Sequence, residues 1–142
     1  MPAQTASTLD QATAEQLSQA YNACFETFEC EDDLIAPDAF FDFLPPLWRF
    51  QFEGRDVFLN QLRSIAQGDV SIKVLRTVPT VSGFVTEHEE THAVGNTTEV
   101  ARRLHLVEVR DGRITEVTTY CNGGWDDELR ARHAAEAPML RP

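Results

Sequence analysis

Residues 84–122 read FVTEHEETHAVGNTTEVARRLHLVEVRDGRITEVTTYCN, and this stretch decides the fold. It predicts three antiparallel strands joined by turns, over residues 84–92, 99–109 and 113–121. Side chains along a strand point alternately to its two faces. One face of the first strand therefore carries Phe84, Thr86, His88, Glu90 and His92.

The turn at residues 110–112, Arg-Asp-Gly, decides which residues of the last two strands share a face. A three-residue loop with a glycine bulge pairs Val109 with Arg113. A two-residue Asp-Gly turn shifts the pairing by one residue, so that Leu104 and Leu106 would share a face with Val117 and Thr119. We favour the three-residue loop because it creates a small, mixed-polar face suited to a cavity. That face would contain Arg103, His105, Val107, Val117, Thr119 and Cys121. The opposite face would present Leu104, Leu106, Ile114 and Tyr120 to another subunit.

The first half of the chain predicts two helices and a strand between them. Asp10 is a good N-cap for the first helix, whose apolar stripe contains Tyr21. The other stripe positions are Leu17, Cys24, Phe25 and Phe28. An acidic turn closed by Pro37 leads to a strand over residues 39–44, in which Phe41 and Phe43 share one face and Asp42 the other. Trp48 would rim a cavity, and Asp56 would cap the second helix, which ends at residues 67–68.

The remaining segments complete an α+β pattern. A strand over residues 71–78 would place Ile72, Val74 and Val78 on one face, and residues 125–137 would form a polar helix that carries His133 on the surface. Helices followed by meandering strands predict a curved, mostly antiparallel sheet covered by helices, which would enclose a pocket.

Composition excludes several classes of partner. The 142 residues form one domain with a net charge of −11, which argues against nucleic acid and anionic membrane surfaces. No apolar run is long enough to span a bilayer. The three cysteines show no metal or secreted disulfide pattern, so we expect a reducing cytoplasm, with Cys24 and Cys121 packed as small apolar side chains.

The order of elements, together with the ending VEVRDGRITEVTTYCNGGWDD at residues 107–127, resembles the nuclear-transport-factor-2-like superfamily. Within it, the chain is similar to SnoaL-like polyketide cyclases, ketosteroid isomerase and limonene epoxide hydrolase. The resemblance implies a cone-shaped α+β barrel enclosing an apolar pocket, and a homodimer through the outer sheet face. It divides the chain into an N-terminal arm (1–8), a SnoaL-like domain (9–126) and a C-terminal helix and tail (127–142).

The chain departs from the catalytic sets of two of these enzymes. Where limonene epoxide hydrolases have an Arg-x-Asp pair in a strand, this chain has His88 and Glu90, and Thr119 stands at their second aspartate. Their tyrosine and asparagine fall near Phe41 and Phe43. Ketosteroid isomerase places its carboxylate base at the position of Phe43.

Scytalone-dehydratase-like members of the superfamily use cavity histidines as acid–base groups, and His88 fits that pattern. We therefore predict a cofactor-independent proton-transfer enzyme, an isomerase, dehydratase or aldol-type cyclase acting on an apolar carbonyl compound. Catalysis is assigned to His88 assisted by Glu90, with Tyr21 and His105 as oxyanion donors. The predicted pocket residues are Phe41, Phe43, Trp48, Arg103, Val117 and Thr119.

Three alternatives remain open at this point. The chain could be a non-catalytic ligand-binding or assembly module, or an epoxide hydrolase with a rearranged acid–base set. A metal could bind His88, Glu90 and His92, which project in parallel. We predict no metal and no cofactor, because His92 is expected to face solvent and metal dependence is unusual in the superfamily.

Overall fold

The computed structural model describes residues 9–141 and contains three helices and six strands in that range. The predicted arm at residues 1–8 lies outside the described residues. The helices are α1 (Gln11–Thr27), α2 (Arg55–Ile65) and α3 (Asp127–Glu136). The strands are β1 (Ile35–Leu44), β2 (Phe50–Glu53), β3 (Asp69–Pro79), β4 (Gly83–Val94), β5 (Thr97–Arg110) and β6 (Arg113–Cys121).

All six strands belong to one curved sheet with the order β2-β1-β6-β5-β4-β3. Every neighbouring pair is antiparallel except β1 and β6, which run parallel. Helix α1 packs on β3 and β4, and α2 packs on β1 and β2, so both helices cover the inner face of the sheet. The predicted α+β architecture is confirmed. None of the described helices is long and apolar enough to cross a membrane.

The two N-terminal helices begin differently from one another. The Asp10 carboxylate accepts a hydrogen bond from the Thr13 amide at 2.7 Å, which confirms the predicted N-cap of α1. The prediction for α2 was wrong by two residues, because Gly54 is the N-cap and Asp56 lies in the first turn. There the carboxylate still interacts favourably with the positive end of the helix dipole.

Strand β1 begins earlier than predicted. It starts at Ile35 and passes through Pro37, where the pairing with β6 is irregular between Ile35 and Phe40. Proline has no N–H to donate to a ladder, so it is tolerated where the pairing is interrupted. Phe41 and Phe43 point inward as predicted, and Asp42 points away and forms an ion pair with Arg49 at 2.7 Å.

The hairpin between β5 and β6 has a different turn from the one predicted, but the predicted faces are largely correct. The turn has two residues, Asp111 and Gly112, both with positive φ, and Arg110 pairs with Arg113. A bulge then inserts Thr115 into β6, so that His105 pairs with Thr119 as a same-face neighbour. The bulge also turns Ile114 inward, where it is fully buried, so its predicted place on the outer face was wrong.

A second bulge, between Val74 and Arg76, changes the faces of β3. Before it, Ile72 is half-buried against the core; after it, Thr77 points inward. Val78, which is 47% exposed, lies beyond the bulge on the opposite face from Ile72 and Val74, so the predicted common face of these three residues was wrong.

Aromatic rings fill the space between the helices and the sheet. Phe58 of α2 stacks on Phe41 with ring centroids 4.5 Å apart and on Tyr21 at 6.2 Å. Phe52 stacks on the other side of Phe41 at 5.0 Å. Cys24 is buried in this core as expected, but it forms a disulfide with Cys30, and this bond was not expected from the sequence.

Candidate functional site

The inner face of β4, β5 and β6 changes from apolar to charged along the strands. Successive cross-strand rows are Phe84–Val107–Val117, then Thr86–His105–Thr119, then His88–Arg103–Cys121, then Glu90–Ala101. The first row lies in the aromatic core. The last two rows reach a cavity at the other end of the sheet.

The cavity has a volume of about 130 Å³ and is partly open to solvent. Its wall carries Gln67, Glu90, His92, Glu99 and Arg103, with Ile65 and Ala101 among its apolar residues. This wall mixes charged and apolar groups, unlike the apolar pocket that the sequence predicted. A pocket of this size is smaller than the roughly 300–1,000 Å³ of sites for drug-sized ligands.

A buried ion pair forms the floor of the cavity. The Nε of Arg103 donates to Oε2 of Glu90 at 2.7 Å, and Nε2 of His92 lies 3.6 Å from the same oxygen. The Glu90 and Arg103 side chains are only 3% and 11% exposed. Burial raises the pKa of Glu90, but His92 and Arg103 outweigh it and lower the pKa to about 2. Glu90 is therefore a stable carboxylate at neutral pH.

His88 lies in the same row as Arg103 and is fully buried. Its Nδ1 is 2.7 Å from Oδ1 of Asn22, an amide on α1. Its Nε2 is buried and has no hydrogen-bond partner among the described residues. Burial, together with the Arg103 charge, lowers the pKa of His88 to about 4 against the opposing influence of Glu90. The imidazole is therefore neutral at pH 7.

His105 lies between His88 and Tyr21 and is within hydrogen-bond distance of both. The Nε2 of His105 is 3.2 Å from Nδ1 of His88, and its Nδ1 is 2.8 Å from the Tyr21 hydroxyl and 2.9 Å from that of Thr119. Burial lowers the pKa of His105 well below its usual value, and His88 and Arg103 lower it further. Burial also raises the pKa of Tyr21. These groups form one buried, neutral hydrogen-bonded chain.

The structure brings together six of the predicted site residues and separates four. His88, Glu90, Arg103, His105, Tyr21 and Thr119 lie on adjacent rows or in contact. Phe41, Phe43 and Val117 are core residues that do not line the cavity. Trp48 is 72% exposed in the segment between β1 and β2, so it does not rim this cavity.

One residue near the site was missed, and the surroundings of another were predicted wrongly. Asn22 follows Tyr21 on α1, and with Ser18 it forms a polar i, i+4 pair on a helix face packed against the sheet. That pair was the available signal. His92 was expected in solvent, but its side chain is only 12% exposed, and its Nδ1 accepts the Gln67 amide hydrogen at 3.2 Å. A contact between segments 25 residues apart gave no sequence signal.

No known protein-family model matches the sequence, and no curated protein matches it. Solved structures do resemble it. A putative ketosteroid isomerase from Kribbella flavida DSM 17836 aligns with a TM-score of 0.59 and 19% identity over 79% of each chain. An LEH-like epoxide hydrolase from M. tuberculosis aligns with a TM-score of 0.62 and 19% identity, over 90% of this chain and 98% of its own.

A third similar structure is an NTF2-like protein from Anabaena variabilis ATCC 29413, with a TM-score of 0.60 and 18% identity over 79% of this chain and 88% of its own. These three proteins differ in their descriptions but have the same overall fold as this chain, as their TM-scores indicate. Identities below 20% carry information about architecture rather than activity. The chain therefore has the nuclear-transport-factor-2-like fold.

Proposed function

We propose that this protein is a cofactor-independent proton-transfer enzyme that acts on a small carbonyl compound bound in the cavity. The observation that carries the proposal is the state of His88. Its Nδ1 is held by Asn22, whereas its buried Nε2 has no partner among the described residues. A neutral imidazole with a free lone pair is a general base that needs no prior deprotonation.

The position of His88 supports this role. His88 shares a cross-strand row with Arg103 and Cys121, and both of these line the cavity. A ligand on the cavity floor would therefore lie next to the imidazole. The guanidinium of Arg103, already fixed by Glu90, would hold the carbonyl oxygen and stabilise the negative charge that develops on it.

The roles proposed for Tyr21 and His105 differ from those of free oxyanion donors. Both side chains are fully buried and hydrogen-bonded to one another. We propose that both belong to the hydrogen-bonded chain that accepts a proton from His88 or returns one to it. The substrate would be a small, partly polar molecule, since the cavity of about 130 Å³ has charged walls. Isomerisation, dehydration and aldol-type cyclisation all need this proton transfer.

Exchange of substrate hydrogen for deuterium provides a direct test. The protein is incubated in D₂O with a panel of small ketones, enones and hydroxyketones, and loss of the α-proton signals is followed by NMR. This detects proton abstraction even without net conversion. His88→Gln should abolish enzyme-dependent exchange, and His133→Gln should not, since His133 lies on α3 and does not line the cavity. Exchange that is unchanged in His88→Gln would reject the role of His88.

Two other functions have specific support. A binding module fits the complete burial of His88, His105 and Tyr21, and it predicts ligands that raise the melting temperature and return unchanged. An epoxide hydrolase with a rearranged set fits the Glu90–Arg103 pair, in which a guanidinium accompanies a cavity carboxylate. Incorporation of ¹⁸O from labelled water into a diol would identify that activity.

We also propose a homodimer through the outer face of the sheet. Leu104 and Leu106 are 42% and 44% exposed, and Tyr120, which pairs with Leu104, is 54% exposed. Leu104→Glu should convert a dimer to a monomer in analytical ultracentrifugation. Val81→Glu, between β3 and β4, is the matched control. A monomeric wild-type protein would reject the proposal.

The cytoplasmic location stays a prediction from the sequence, and the Cys24–Cys30 disulfide does not favour it, because disulfides persist mainly in oxidising compartments. Alkylation of thiols in freshly lysed cells, followed by mass spectrometry, measures the state of this pair. Free thiols would agree with a reducing cytoplasm, and an intact bond would reject it.

A further inference from the structure

The Asn22 side chain has only one orientation that satisfies its neighbours. Its Nδ2 lies 2.8 Å from the carbonyl oxygen of Ser18, which can only accept a hydrogen bond. The same NH₂ group also lies 3.1 Å from the Ser18 hydroxyl and 3.2 Å from that of Thr86. The amide oxygen must therefore be the atom that faces His88. Asn22 is 3% exposed, so water does not compete for these contacts.

This orientation determines where His88 carries its proton. An amide oxygen accepts hydrogen bonds and cannot donate them, so the Nδ1 of His88, 2.7 Å away, must be the protonated nitrogen. In a neutral ring the Nε2 is then the unprotonated base. The opposite tautomer would place two lone pairs against each other in a buried site, at a cost comparable to losing a buried hydrogen bond.

The consequence extends to the second histidine. The Nε2 of His105 lies 3.2 Å from the same His88 Nδ1, so it faces an N–H and must be unprotonated. The proton of neutral His105 is then on Nδ1, where the hydroxyls of Tyr21 and Thr119 can accept it. One amide on α1 thus sets the direction of hydrogen bonding through both imidazoles.

We infer that Asn22 is a positioning residue that locks His88 in the Nδ1–H tautomer and so keeps its Nε2 available as the base. This inference deepens the proposed function. The catalytic role of Asn22 rests on that proposed function, whereas the tautomer of His88 does not. The tautomer itself is a property of the folded protein and is measurable without any substrate.

Long-range ¹H–¹⁵N correlation spectra of the ¹⁵N-labelled full chain at pH 7 distinguish the two nitrogens of a neutral histidine. We expect His88 to show a protonated Nδ1 and an unprotonated Nε2 in the wild-type protein. Asn22→Asp keeps an acceptor and should keep this tautomer. Asn22→Leu removes the acceptor and should give a mixture or the reverse tautomer. A protonated Nε2 in the wild type, or an unchanged tautomer in Asn22→Leu, overturns the inference.

Asn22→Asp also provides a second readout. A carboxylate beside His88 should favour the protonated ring and move its titration toward neutral pH, against the background of Glu90, Arg103, His92 and His105. Asn60→Asp, which adds the same charge at an exposed position of α2, is the matched control and should not move it. An equal movement in both variants would show a general charge effect and overturn the specific role of Asn22.

Failure of this inference and failure of the proposed function give different results. If the tautomer is locked as described but no compound exchanges deuterium, the positioning role holds and the enzyme proposal fails. If exchange depends on His88 but Asn22→Leu keeps both the tautomer and kcat, the enzyme proposal holds and the positioning role fails. If both hold, Asn22→Leu should lower kcat by tenfold or more with a smaller change in KM, and Asn22→Asp should retain more activity than Asn22→Leu.

Discussion

Replacing Arg103 by methionine removes the guanidinium that neutralises Glu90 while keeping a long side chain in place. The Nε of Arg103 lies 2.7 Å from the carboxylate, and the two side chains are 11% and 3% exposed. Breaking such a buried pair from one side leaves an uncompensated charge and costs about 3–5 kcal/mol. One pKa unit corresponds to about 1.4 kcal/mol, so lowering the pKa of Glu90 from 4.5 to about 2 indicates about 3 kcal/mol of stabilisation at neutral pH.

The pH dependence of stability should change sign in this variant. In the wild type the folded-state pKa of Glu90 is depressed, so its contribution is present above about pH 4.5 and is lost as the pH falls toward about 2. Without Arg103, burial, the largest single influence on the pKa of Glu90, is opposed chiefly by the hydrogen bond of His92 and favours the neutral acid. The folded-state pKa then rises above its unfolded value, and Arg103→Met should recover stability as the pH falls from 7 toward 5.

Urea unfolding at 25 °C, at pH 7 and pH 5, measures both effects. The control is Arg113→Met, since Arg113 pairs with Asp33 at 3.1 Å but the two side chains are 46% and 78% exposed. An exposed pair contributes at most about 1 kcal/mol. Glu90→Met combined with Arg103→Met should be more stable than Arg103→Met alone. If Arg103→Met costs no more than Arg113→Met, or its deficit is equal at both pH values, the reasoning about the buried pair is wrong.

Three further substitutions test the fold by the same urea measurement. Phe58→Ala should lower the free energy of unfolding by about 3–5 kcal/mol, because it removes the fully buried ring between Phe41 and Tyr21, and a loss below 1 kcal/mol would contradict the packing. Asp10→Ala should cost about 1 kcal/mol through the lost N-cap of α1, and an unchanged midpoint would contradict that role. Gly83→Ala should cost about 1–3 kcal/mol, because the new Cβ would lie 1.9 Å from the carbonyl oxygen of Val107; a neutral result would reject that close approach.

The inner face of β4 could be predicted because side-chain alternation is a local property. Phe84, Thr86, His88 and Glu90 are each at most 2% exposed, as the period of two required. The N-terminus of α1 was predictable for the same reason, since a capping carboxylate acts on an amide only three residues away. Features that depend on residues only a few positions apart can be predicted from the sequence alone.

The bulges could not be predicted, because neither Thr115 nor Leu75 differs from an ordinary strand residue. Each bulge inserts one residue, so the side chains on its two sides alternate out of step with one another. As a result Val78 is exposed and Ile114 is buried. His105 still shares a face with Val117, Thr119 and Cys121 as predicted, although its direct partner is Thr119, because the two-residue turn and the Thr115 bulge together displace β6 by two residues relative to the predicted loop. The predicted face around His105 was therefore right although the turn was wrong.

The candidate site depended on contacts that no local pattern contains. Asn22 meets His88 across 66 residues, and the geometry of that contact follows from how α1 packs on β4. Likewise, Arg103 and Glu90 meet only because β5 pairs with β4 in the observed register. The residue types alone indicated that the histidines and carboxylates could act as acids or bases. Which of them form hydrogen bonds with one another depends on the folded sheet.

The unpartnered Nε2 of His88 gives the strongest reason to treat this end of the sheet as functional. A buried polar group without a partner costs about 1–3 kcal/mol. The polar groups around it all have hydrogen-bond partners; they belong to Asn22, His105, Thr86 and Tyr21. This part of the fold therefore provides partners for the buried polar groups that surround His88. In the described part of the chain, the exception lies in the same cross-strand row as Arg103 and Cys121, two residues that line the cavity. A phenylalanine at this position would avoid this cost, but it would leave the amide oxygen of Asn22 without its donor at a similar cost, so the two effects nearly cancel. Its substitution for His88 should therefore leave the protein folded while removing the base, which separates a functional from a structural reason for the histidine.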